Sequence, residues 1–187
     1  SDPASRVTEM KQMVKGLHGN DIRVIMDVVY NHVYDAANHS FNKTVPGYYF
    51  RYDDNGSLVN NSGCGNDTAS ERKMMRKYIV DSVTYWAKNY NVDGFRFDLM
   101  GLIDTETMKE VRAALDEIDP SIIILGEGWD MNTTMDEGEM TIQPNAYQVA
   151  SDGTNNGIAF FNDSVRDGLK GSVFSDTDTG FVSGKAD

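Results

Sequence analysis

Three times in succession, apolar residues at helical spacing are followed, after a short break, by a brief apolar run. Val7, Met10, Val14 and Leu17 mark the first helix, with Pro3 suited to a first-turn position and Gly19-Asn20 as its stop. The run Ile22–Val29, rich in β-branched residues, reads as a buried strand. Met75, Ile79, Val83 and Trp86 mark a second helix, opened by Thr68-x-x-Glu71 in capping-box spacing, and Val92–Asp98 its strand. Met108, Val111, Leu115 and Ile118 mark a third, running from near Asp104 to before Pro120, and Ile122–Gly126 follows as a strand. Ile158–Phe161 reads as a short fourth strand and Asp163–Lys170 as a helix. Such alternation implies a parallel sheet covered by helices.

The connections differ by side. Those after strands are long and polar: Tyr30–Asn66 carries Tyr48, Tyr49, Phe50 and Tyr52 among Gly and Asn turns. Loops of that length inside a compact domain are usually functional. Those after helices are expected to be only two or three residues. In a (β/α)8 barrel the site lies at the carboxyl ends of the strands, and a doubly wound sheet shares that rule.

The 187 residues suit one domain or a piece of one. With 17 Lys+Arg against 29 Asp+Glu, the net charge of -12 would repel a phosphate backbone, so no nucleic-acid partner is expected. A neutral, hydroxyl-rich substrate is compatible with that charge, as is a role in solubility alone. The single cysteine, Cys64, permits neither an intrachain disulfide nor a Cys-based metal site, and three histidines argue against zinc. Apolar runs such as Val24–Met26 and Ile122–Leu125 are far too short to span a bilayer, so no membrane partner is expected.

Each clear strand ends in a carboxylate: Asp27, Asp98 and Glu127. A carboxylate ending an apolar strand is costly to desolvate without partners. One such residue is readily a helix cap or a structural ion pair; three in successive strands point to a site. Side chains alternate along a strand, so Arg96 and Asp98 share one face, while Phe95 and Phe97 pack on helices behind it. Arg96 would hold Asp98 or Asp27 ionised. Glu127 has Leu125 and Trp129 for neighbours, surroundings that favour a carboxyl still holding its proton. An ionised carboxylate facing a protonated one is what glycoside hydrolysis needs. Trp129, Tyr30 and the loop tyrosines are candidates for stacking on sugar faces, with loop packing as the alternative.

Asp27-Val28-Val29-Tyr30-Asn31-His32, Gly94-Phe95-Arg96-Phe97-Asp98 and Gly126-Glu127-Gly128-Trp129 resemble, in order, three signature regions of the α-amylase superfamily of glycoside hydrolases. Gly63-Cys64-Gly65-Asn66-Asp67-Thr68-Ala69-Ser70-Glu71-Arg72, Phe97-Asp98-Leu99-Met100-Gly101 and Phe161-Asn162-Asp163-Ser164-Val165-Arg166-Asp167 resemble the type I pullulanase branch in particular. The resemblance implies a retaining mechanism with Asp98 as nucleophile and Glu127 as acid/base. It implies sugar contacts from His32 and Arg96, and support of that site by Asp27. The implied substrates are α-1,6-linked branches in pullulan, glycogen or starch. No cofactor is implied as required; Asn31 matches a position tied to calcium in some amylases.

The family's fourth region, an Asn-His-Asp on a later strand, is absent. The expected architecture is therefore α/β: a partial (β/α)8 TIM barrel, roughly strands three to six with their helices. Residues 1–187 would form a fragment of a single catalytic barrel domain, since a typical barrel has about 250 residues. Such a segment alone is expected to be inactive and to self-associate through exposed strand edges. Two rival readings stand beside this one. The first is a non-catalytic sugar-binding fragment. The second is a metal-dependent barrel enzyme binding magnesium through the three carboxylates, against which Arg96 beside Asp98 argues.

Overall fold

The computed structural model describes residues 2–153 and 156–185. Its helices are α1 (Ala4–His18), α2 (Ser40–Thr44), α3 (Lys73–Tyr90), α4 (Thr105–Asp116) and α5 (Asp163–Lys170). Its strands are β1 (Ile25–Val28), β2 (His32–Val33), β3 (Asn66–Asp67), β4 (Gly94–Phe97), β5 (Ile123–Gly126) and β6 (Ala159–Phe160). Four strands form a parallel sheet in the order β1-β4-β5-β6; β2 and β3 pair separately and antiparallel. Each strand thus neighbours the next principal strand, with α3 crossing from β1 to β4 and α4 from β4 to β5. This is the arrangement of a section of a barrel wall.

One face of the sheet is the core. Phe95, Phe97 and Ile124 point to it and pack with Met75, Ile79 and Val83 of α3 and Met108, Val111 and Leu115 of α4. The helices therefore bury the faces their apolar periods mark, and Asp104 caps α4 through Thr107 N–H at 2.8 Å. The opposite face, the barrel interior, is uncovered: Ile25 is 42% exposed.

Several expectations need correction. The first strand is Ile25–Val28 rather than Ile22–Val29, and it is not buried on both faces: it lies at an edge of the described sheet, and Ile25 and Asp27 on its inner side are exposed. In α1 only Val14 is buried, and Val7 is exposed. The capping box at Thr68 and Glu71 does not form. Both side chains are committed elsewhere, Thr68 Oγ1 to the Tyr30 carbonyl at 2.6 Å and Glu71 to Arg51, and α3 starts only after Arg72. Connections after helices run over 19–24 and 117–122 as well as the short 91–93. After β4 the connection is short, over 98–104, and contains the 3-10 turn Met100–Leu102.

Candidate active site

Register sets the site. Asp27, Arg96, Leu125 and Ala159 are partners across the sheet and form one inward layer. The ladder continues through Asp98 N–H to the Val28 carbonyl (3.0 Å), Glu127 N–H to Phe97 (3.2 Å) and Phe161 N–H to Gly126 (3.0 Å). Alternation then puts Asp98, Glu127 and Phe161 in the next layer, at the carboxyl ends of the strands and on the same side as Arg96.

Arg96 gathers this layer. Its Nη1 lies 2.8 Å from Asp27 Oδ1 and 3.1 Å from Asp98 Oδ1, and its Nη2 lies 2.7 Å from Glu127 Oε1. The guanidinium also sits over the Phe161 ring, 5.5 Å from its centroid. Burial alone would lower the pKa of Arg96. The hydrogen bond to Asp27, the charge of Glu127 and the bond to Asp98 outweigh that and hold it above its ordinary value. Asp98 and Glu127 are largely shielded, with side chains 26% and 19% exposed, whereas Asp27 is open at 66%.

Asn31, fully buried, completes the setting of Asp98. Its Nδ2 donates to the Asp98 carbonyl at 2.7 Å and to Asp98 Oδ2 at 3.0 Å, and its Oδ1 lies 2.6 Å from His32 Nδ1. One side chain therefore orients both Asp98 and His32. Among the described residues no group of three or more His, Cys, Asp or Glu is placed to hold a metal ion. The cation between the three strand-end carboxylates is Arg96.

The surroundings of Glu127 differ from the sequence reading. Its carboxyl neighbours are the Arg96 guanidinium and the Leu99 N–H, at 3.1 Å from Oε2, rather than the apolar groups of Leu125 and Trp129. The glycine before it answers to space: a Cβ at Gly126 would lie 2.8 Å from the Phe97 carbonyl oxygen. Trp129 is half-buried two residues beyond Glu127, its backbone against Gly101.

Tyr30 is buried rather than open for stacking on a sugar. It belongs to the core, its ring beside Tyr78 and Phe97 and its hydroxyl 2.7 Å from Ser82 Oγ. Alternation explains this: Tyr30 follows Val28 on the helix-facing side, while Asp27 and Val29 face inward. Burial is also the leading reason that its pKa is raised. In the long loop Phe50 is fully buried, and Tyr49 stacks on Phe41 with centroids 4.7 Å apart, so loop packing accounts for these rings.

Three contributors went unread in the sequence: the orienting role of Asn31, Phe161 under Arg96 and the Leu99 amide. Phe161 was within reach, since alternation from Ala159 places it inward.

No protein-family model matches the chain. A pullulanase of Bacillus subtilis (strain 168) is 47% identical over 186 residues, covering 100% of this chain and 25% of that protein. Pullulanase 1, chloroplastic, of Arabidopsis thaliana is 40% identical over 200 residues, covering 98% of this chain and 20% of that one. Among solved structures, pullulanase from Paenibacillus barengoltzii in complex with maltohexaose and alpha-cyclodextrin superposes with a TM-score of 0.93 at 49% identity, covering 98% of this chain and 28% of its own. Pullulanase from Anoxybacillus sp. LM18-11 complexed with maltotriose gives 0.90 at 53%, covering 96% and 25%. The chain thus spans about a quarter of the length of the curated relative from Bacillus subtilis.

Proposed function

Because the chain is homologous along its length to a segment of the pullulanases, we propose that it forms the middle of the catalytic barrel of a debranching glycoside hydrolase, with Asp98 and Glu127 as its reacting pair. The substrate class is α-glucan, cleaved at α-1,6 branch linkages of pullulan, starch or glycogen. The observation that carries the reading is the convergence of Asp27, Asp98 and Glu127 on one guanidinium at the strand ends. Asp98 and Glu127 directly follow the adjacent strands β4 and β5, and neighbouring strands lie about 4.8 Å apart. A retaining pair needs its carboxyl groups about 5–5.5 Å apart, a spacing of the same order.

In the proposed reaction Asp98 attacks the anomeric carbon while the glycosidic C–O bond breaks, and the proton of Glu127 goes to the leaving oxygen. Water then attacks the glycosyl ester, giving its proton to Glu127 and freeing Asp98. Arg96 holds Asp98 by a charged hydrogen bond and, with His32, contacts the sugar; Asp27 holds Arg96 in place; Trp129 offers a face for stacking. Calcium is not needed in this scheme, and Asn31 acts on Asp98 and His32.

The test uses the full-length enzyme carrying this segment. Asp98→Asn should abolish pullulan hydrolysis, a loss of several kcal/mol, roughly, of transition-state stabilisation. Near-normal turnover by that variant would rule the assignment out.

A further inference from the structure

We propose that Leu99–Leu102 is a ledge that positions Glu127 for acid/base work, and that Arg51, from the long loop after β1, is the positioning residue that fixes this ledge. The proposal rests on the reading of Glu127 given above.

Leu99 has φ 40° and ψ 51°, the left-handed region that a leucine rarely occupies. An L-residue pays roughly 1–2 kcal/mol to stay there, and does so only where its surroundings hold it. The conformation aims the Leu99 N–H at Glu127 Oε2, 3.1 Å away. Two residues on, Gly101 N–H donates to the Glu127 carbonyl at 3.0 Å. A Cβ at Gly101 would run into the Trp129 carbonyl, so the ledge lies directly against the chain on both sides of Gly128. One short segment thus grips Glu127 by its backbone and by one carboxyl oxygen, while Arg96 takes the other oxygen.

Arg51 holds the far end. It is only 2% exposed. Its Nη1 donates to the Leu102 carbonyl at 2.7 Å and to Thr133 Oγ1 at 3.3 Å. Its Nη2 donates to Glu71 Oε2 at 2.9 Å and Ser70 Oγ at 3.2 Å, and its Nε to Glu71 Oε2 at 3.2 Å. All five guanidinium N–H groups therefore have a use, which a lysine with three donors on a point charge cannot reproduce. Glu71 precedes α3, Leu102 ends the ledge and Thr133 lies beyond Glu127, so Arg51 joins the connections that follow β1, β4 and β5.

A staple of overall stability and a positioning device differ in which step they slow. Misplacing Glu127 hurts departure of a sugar oxygen, which needs its proton, far more than departure of fluoride, which needs none. The experiment measures kcat/KM, which reports the first bond cleavage, for pullulan and for an α-glycosyl fluoride with the full-length enzyme. Arg51→Lys and Leu99→Val should each lower the pullulan value about 10²-fold and change the fluoride value far less. Leu99→Gly, free to adopt the left-handed backbone while keeping its N–H, should recover most of what Leu99→Val loses. Glu127→Gln is the reference and should show the same substrate selectivity.

Equal losses on both substrates, or no loss on pullulan, would overturn the proposal. If Arg51→Lys does not fold, the Val and Gly variants of Leu99 decide it. Near-normal pullulan hydrolysis by Glu127→Gln would overturn the acid/base reading and the ledge's role with it. An inactive Glu127→Gln beside unimpaired ledge variants overturns only the ledge.

Discussion

Arg96 is the residue on which the site turns, because one planar fork serves three carboxylates at distances of 2.7–3.1 Å. A lysine would keep the charge but could not address Asp98 and Glu127 from two separate nitrogens. In the full-length enzyme Arg96→Lys is expected to lower kcat on pullulan by about 10²–10³, the size of effect seen when one preorganised donor at a reacting centre is removed. Steady-state kinetics check this; retention of most of the parent kcat would refute it. The fold should hardly respond, since Asp27 is largely exposed and water screens its share of the pairing. Arg96, Asp98 and Glu127 were legible in the sequence because strand alternation and the strand-end position give each a side and a height. Asn31 and Leu99 were not: an asparagine after a strand carries no sign of what its amide will reach, and nothing in a leucine announces a left-handed backbone. Tyr30 misled because a tyrosine beside a strand-end carboxylate suits stacking and core packing alike, and only its parity with Val28 separates them.

Elements show the same division between periodic and non-local information. The inward faces of α3 and α4 follow from helical spacing, and β4 and β5 from short apolar runs, because those patterns are local; Met75, Ile79 and Val83 of α3 and Met108, Val111 and Leu115 of α4 are buried, with Trp86 and Ile118 partly so. The limits of β1 differ from the apolar run because apolar content marks a strand's potential, whereas pairing decides its length, and among the described strands β1 pairs in the main sheet with β4 alone. The capping box failed for a related reason: Thr68 and Glu71 have stronger partners far away in sequence. Asp104 is the cap that matters. Its carboxylate takes Thr107 N–H at 2.8 Å, Thr107 Oγ1 at 2.6 Å, Ser70 Oγ at 2.7 Å and Arg76 Nη2 at 3.0 Å. It thereby ties the start of α4 to α3 and to the segment before it. Asp104→Ala removes the cap and leaves Arg76 with Glu110 as its remaining carboxylate partner, so a loss of about 2 kcal/mol is expected. Urea unfolding of the wild type and variant measures it. Thr68→Ala should leave the helicity of α3 unchanged by circular dichroism, since no cap is lost.

At the scale of the whole molecule the sheet is finished on one face and open on the other. The helix side is sealed by the core, while Ile25 and Val29 are 42% and 53% exposed and Phe161 is 38% exposed on the inner side. Both outer strands, β1 and β6, carry a free edge in the described sheet. The amphipathic α5 leaves Val165 and Leu169 outside, close in sequence to the exposed Phe174 and Phe181. In the proposed full barrel further strands and helices would cover these surfaces. For the 187-residue segment alone, apolar patches beside unpaired edges favour association with a second copy. The net charge of -12 opposes it, and salt screens that repulsion. The isolated segment is therefore expected to be a dimer or larger in light scattering, with the associated fraction growing as ionic strength rises. Pullulan hydrolysis should be undetectable, because a site whose members act as a unit loses most of its rate when some are missing. A monomer that persists from low to high salt would remove the association half. Turnover near that of a full-length pullulanase would remove the other, and would mean that Asp98, Glu127 and Arg96 need no more of the barrel than the four strands that hold them here.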